Sequence, residues 1–129
     1  MSNEEKTVLV VDDEPDVVVF LSTLLGDAGY RVITASDGEQ AGQLVQQRAP
    51  DLITLDITMP EKSGVRFYRE MKQDPATSHI PIIIVSGVAE DFEGFISSRR
   101  QVPPPEGYIH KPIDREALLD KARQLAAVD

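Results

Sequence analysis

Val8-Leu-Val-Val11, Asp51-Leu-Ile-Thr-Leu55 and Ile82-Ile-Ile-Val85 are short runs of nearly unbroken apolar character, without the alternation of a half-exposed strand. Such runs fit strands buried on both faces, which is the environment of a parallel sheet covered by helices. Each run stops at a residue carrying chemistry: the first at Asp12 and Asp13, the second at Asp56, the third at Ser86. A shorter run, Tyr108-Ile-His110, stops at Lys111-Pro112. In open α/β sheets the carboxyl ends of the strands are where ligands bind. The ordered series of acid pair, acid, hydroxyl and lysine is therefore more specific than any of its members.

The segments between the runs have helical period. Pro15 suits a first helical turn, and Val17, Phe20, Leu21, Leu24, Leu25 and Ala28 are expected on its inward face before Gly29 stops the helix. Arg31 to Ala35 is a strand. Ser36-Asp37-Gly38-Glu39 resembles a capping box and opens a helix with Ala41, Leu44 and Val45 inward, ending ahead of Pro50. Helices are also expected over Val65 to Gln73, over Glu90 to Arg100, and after Asp114, where Leu118, Leu119, Ala122 and Leu125 face inward. Strands Val8 to Val11, Arg31 to Ala35, Asp51 to Leu55, Ile82 to Val85 and Tyr108 to His110 alternate with these helices, so the fold is α/β, a doubly wound parallel sheet with right-handed crossovers. All strands then end at one edge, which gathers Asp12, Asp13, Asp56, Ser86 and Lys111.

A chain of 129 residues is expected to form one domain over 1–129, with residues 1–6 frayed, burying roughly 70% of its unfolded surface. The absence of cysteine excludes disulfides, thiolate metal sites and a cysteine nucleophile. No apolar run is long enough for a signal segment or a membrane span, so a soluble cytoplasmic protein is expected. Thirteen basic against 22 acidic residues give a net charge of −9, which disfavours direct binding to nucleic acid. The pair Arg99-Arg100 reads as a solvated helix end.

Three carboxylates brought within about 4 Å of one another repel by roughly 4 kcal/mol per pair at an effective dielectric of 20, so a compensating charge is needed. Magnesium accepts such oxygen donors, keeps several waters and takes a phosphate oxygen readily. His79 and His110 do not share a helix face, and neither is assigned a role. A lysine would neutralise another phosphate oxygen and a serine hydroxyl would donate to a third. The set suits a tetrahedral dianion attached to, or lying beside, a carboxylate.

Val10-Val11-Asp12-Asp13-Glu14, Leu55-Asp56-Ile57-Thr58-Met59-Pro60 with Gly64, Val85-Ser86-Gly87 and Tyr108-Ile109-His110-Lys111-Pro112 resemble the successive motifs of two-component response-regulator receiver domains, of the stand-alone chemotaxis-regulator-like type. The resemblance covers nearly the whole chain. It implies a flavodoxin-like five-stranded sheet of order 2-1-3-4-5 with five helices. It implies Asp56 as phosphoacceptor from a sensor histidine kinase or phosphotransfer protein, in a phosphorelay with an unknown downstream protein target. Asp13 and Asp56 would ligate Mg2+ directly, with the backbone carbonyl of Thr58, and Asp12 through water. Lys111 would pair with the phosphate, Ser86 would move to the acyl phosphate, and Tyr108 would turn inward behind it. The protein would take part in its own phosphorylation and dephosphorylation without being an enzyme, as a monomer or a phosphorylation-dependent dimer. The first helix is the usual docking face for the kinase, which makes Val18 and Val19 candidates for contact.

The chain departs from the pattern between Ser86 and Lys111, where Gln101-Val-Pro-Pro-Pro-Glu-Gly107 lengthens the link; a plain loop extension is the simplest reading. Thr58 and Val88 flank the site, and Val88 offers no polar group to orient an attacking water. A phosphorylated form that is not exceptionally short-lived is expected. Two alternatives stand beside the receiver. A magnesium-dependent phosphohydrolase would need an acid two residues after Asp56, where Thr58 stands. An interaction-only pseudo-receiver conflicts with the complete acid, hydroxyl and lysine set.

Overall fold

The computed structural model describes residues 5–57, 63–87 and 104–127. Within them run β1 (Thr7–Val11), α1 (Pro15–Asp27), β2 (Arg31–Ala35), α2 (Gly38–Gln47), β3 (Leu52–Leu55), α3 (Ser63–Gln73), β4 (Ile82–Ser86), β5 (Gly107–His110) and α4 (Arg115–Leu125). The helix expected over residues 90–100, together with Thr58, Val88 and Pro103, lies outside the described residues.

The five strands are all parallel and pair in the order β2-β1-β3-β4-β5. Their alternation divides the core in two. Leu9, Val11, Ile53, Leu55, Ile82 and Ile84 pack with Ala41 and Val45 of α2 and Phe67, Tyr68 and Met71 of α3. Val8, Val10, Leu52, Ile83 and Val85 pack with Leu21, Leu24 and Leu25 of α1 and Leu118 and Ala122 of α4. The residues of β1, β3 and β4 are buried throughout, as unbroken apolar runs require. No described helix is long and apolar enough to cross a membrane.

Local chemistry sets the element ends. Gly29 takes φ 103°, with its amide donating to Gly26 and that of Tyr30 donating to Leu25, which closes α1 in a Schellman motif. The cap of α2 sits one residue later than the sequence reading placed it. Asp37 accepts from the Gln40 amide at 2.8 Å, and the Gln40 side chain accepts from the Ser36 amide at 2.7 Å, so the reciprocal partner is Gln40 and not Glu39. Aspartate and serine cap about equally well, and the shift places the aspartate charge at the positive helix end. Asp114 caps α4 through the amides of Glu116 and Ala117, as read from the sequence.

Phe20 corrects the inward face assigned to α1, since it is 38% exposed, beside Val19 at 64%. At about 100° per residue the buried stripe centres near Leu21 and Ala28, and Phe20 falls about 100° from that centre. Val18, at the opposite border, packs against the core.

The edge where the strands begin is fastened by polar contacts. Lys72, on α3, has a side chain only 1% exposed, and its ammonium reaches both carboxylate oxygens of Glu106 at 2.8 and 2.9 Å. The same ammonium lies 3.4 Å from the Ile80 carbonyl, and Glu106 accepts from the Ile82 amide at 2.8 Å. The Thr7 amide donates to the Asp51 carboxylate at 2.8 Å, while the Tyr30 hydroxyl donates to the Ala126 carbonyl at 2.7 Å. Lys72 is buried while Glu106 is partly exposed, so deleting the glutamate strands a buried ammonium without its counter-charge. Glu106→Ala is therefore expected to lower unfolding free energy by roughly 3 kcal/mol in urea denaturation. A loss below about 0.5 kcal/mol, the size of an ordinary surface change, would contradict a buried Lys72 charge that depends on Glu106.

Candidate functional site

The parallel ladder continues one rung past the strands. The Asp12 amide donates to the Ala35 carbonyl at 3.1 Å, and the Asp56 amide to the Val11 carbonyl at 3.0 Å. Asp12 and Asp56 thereby extend the face that carries Val10 and Thr54, and they are 2% and 1% exposed. Asp13, one residue on, is exposed. One carboxylate oxygen from each of Asp12, Asp13 and Asp56 lies within 4.8 Å of the others.

Lys111 arrives from the end of β5, positioned by its amide donating to the Ser86 carbonyl at 2.7 Å, and followed by a cis bond to Pro112. Its ammonium stands 3.2 Å from Asp12 Oδ2, 3.6 Å from Asp56 Oδ2 and 2.7 Å from Glu14 Oε1. Ser86 is buried at the end of β4, in register with His110. Asp12, Asp13, Asp56, Lys111 and Ser86 therefore all stand at the same sheet edge. Tyr108 is 50% exposed, its ring edge-on to His110 with centroids 5.6 Å apart. Thr58 lies outside the described residues.

Glu14, which the motif resemblance leaves without a role, makes the shortest carboxylate contact to Lys111. Its position at the α1 N-cap, two residues after Asp12 and just before Pro15, was the available signal. The glutamate makes no side-chain cap bond. The start of α1 is shaped instead by Asp12 Oδ1, which accepts from the Glu14 amide at 2.9 Å. Asp12 thus serves the turn with one oxygen and faces Lys111 with the other.

Burial pushes the Asp12 carboxyl up to about 6, with the Asp56 charge adding to the effect and the Glu14 amide and Lys111 opposing it. For Lys111, burial works to lower the pKa, but the Glu14 hydrogen bond and the Asp56 and Asp12 charges outweigh it and the net shift is upward. The two directions agree physically: burial disfavours the Asp12 charge, and the partly buried amine is held protonated by the carboxylates around it. All donors converging here are hard oxygens, which fits magnesium better than a soft metal.

The chain matches the family model for the response regulator receiver domain over residues 8–123. It is 35% identical over 112 residues to protein Rrf1 of Nitratidesulfovibrio vulgaris, covering 87% of this chain and 76% of that protein. It is 33% identical over 112 residues to PilH of Pseudomonas aeruginosa, covering 87% of this chain and 90% of that one. The chemotaxis protein CheY4 of Vibrio cholerae superposes with a TM-score of 0.81 at 28% identity, covering 95% of this chain and 99% of that chain.

Because the Asp12 carboxyl holds its proton more tightly in the folded state than its ordinary value of 3.8, its charge costs stability above pH 6. The cost fades as pH falls through 6 toward 3.8. In metal-free protein, Asp12→Asn should raise the thermal midpoint at pH 7 by about 5 °C, with the gain shrinking toward pH 4. A midpoint lowered at pH 7, or a gain that grows with acidity, would show that the charge is not strained.

Proposed function

The chain belongs to the response regulator receiver family of two-component signalling, and we propose that it accepts a phosphoryl group on Asp56 from a sensor histidine kinase or phosphotransfer protein. The observation that carries this reading is a buried Asp56 carboxylate sharing one sheet edge with Asp12, Asp13 and the Lys111 ammonium. In the transfer, an Asp56 oxygen forms a bond to phosphorus while the bond between phosphorus and the donor imidazole nitrogen breaks. The electron pair of that bond stays on the imidazole.

The chain's residues contribute position and charge, which is most of what phosphoryl transfer asks of a protein. Strand β3 presents Asp56 at a fixed point, and Lys111 neutralises phosphoryl oxygens as they arrive. Ser86, at the end of the neighbouring strand β4, donates its hydroxyl to the acyl phosphate. Mg2+ fits the three-acid group and would be held by Asp13 and Asp56, with Asp12 through water and the Thr58 carbonyl; when bound it neutralises charge on the phosphoryl group.

The switch begins at Ser86 and reaches Tyr108, whose half-exposed ring sits edge-on to His110 and would turn inward behind the serine. The output is contact with a downstream protein, by the monomer or by a dimer formed on phosphorylation. The protein is a phosphoacceptor that assists its own phosphorylation and dephosphorylation, with no separate substrate to turn over.

Incubation with a small-molecule phosphodonor and magnesium should add a single phosphate to the intact mass, absent from Asp56→Asn and absent when magnesium is chelated. An adduct that persists in Asp56→Asn would place the chemistry elsewhere.

A further inference from the structure

Lys111 has three carboxylate neighbours of unequal kind. Asp12 and Asp56 are buried at strand ends and held by the ladder, whereas the Glu14 side chain is 59% exposed and lies 97 residues away in sequence. Glutamate is not among the favoured N-cap residues, and here its carboxylate makes no cap bond while its backbone carbonyl accepts from the Val17 and Val18 amides. It makes the closest contact to the amine, at 2.7 Å, against 3.6 Å for Asp56.

We propose that Glu14 is a positioning residue that competes with the incoming phosphoryl group for Lys111 and so slows phosphorylation of Asp56. The inference rests on Asp56 as phosphoacceptor. A dianion on Asp56 draws the ammonium toward the strand end, and the contact that must give way is the one to Glu14. Asp12 is buried and accepts from the Glu14 amide, whereas the Glu14 carboxylate is released into water, where it is well solvated. Such an exposed pair is weak enough to exchange, so it sets a rate and does not block the reaction.

The test follows intact mass over time in the full chain, with a small-molecule phosphodonor at saturating magnesium. Glu14→Gln removes the charge; Glu14→Asp keeps the charge but is one methylene too short for the 2.7 Å contact. Both should take up phosphate about two to five times faster than the parent chain, the size expected for one exposed ion pair. Asp16→Asn, which removes another exposed carboxylate from the first turn of α1, should leave the rate unchanged. Thermal midpoints of all variants should stay near the parent value, which a merely structural role for Glu14 would not allow.

A Glu14→Gln rate at or below the parent's overturns the proposal. So does acceleration in Glu14→Gln with a parental rate in Glu14→Asp, or equal acceleration in Asp16→Asn, since bulk charge would then explain it. Failure of the parent chain to form any adduct would overturn the phosphoacceptor reading itself and this inference with it.

Discussion

The Lys111 ammonium is the charge that allows Asp12 and Asp56 to stay buried side by side. At 3.2 and 3.6 Å it faces both, yet burial, with the Asp56 charge adding to it, still pushes Asp12 up to about 6. The parallel ladder creates the problem. Because β1, β3, β4 and β5 run the same way, their carboxyl ends share one edge, and the residues that close them are forced together by backbone hydrogen bonds. An edge strained in this way is receptive to a divalent cation and to a group that rearranges its charges.

The opposite edge is built for permanence. Lys72 and Glu106 join α3 to the start of β5, Asp51 joins β3 to β1, and Tyr30 ties the start of β2 to the chain beyond α4. These polar groups are matched in close pairs, whereas Asp12 and Asp56 both face the same Lys111 ammonium. Strain concentrated at one end of a firmly held sheet gives a local charge change something rigid to act against.

How much of this is legible in the sequence depends on the range of the interaction. β1, β3 and β4 were readable because burial on both faces writes itself into consecutive residues, and Asp56 and Asp12 followed from where those runs stop. Contacts across long separations left no local trace. Lys72 sits among the polar residues of α3, and nothing nearby says that Glu106 will bury it, 34 residues on. Glu14 carries no local sign of its role because its partner is 97 residues away. The errors at Phe20 and at the α2 cap were small rotations or shifts along a helix, set by neighbours that periodicity cannot weigh.

The central claim is that the acids at the strand ends form a repulsive group that a divalent cation relieves. It is tested most directly by the thermal midpoint at pH 7 as magnesium is added at constant ionic strength. A cation that binds only the folded state adds about 1.4 kcal/mol at tenfold over its dissociation constant, so the midpoint should climb with magnesium. Asp13→Asn should lose most of that climb. No rise, or an equal rise in Asp13→Asn, would mean that Asp12, Asp13 and Asp56 do not act together as a cation site.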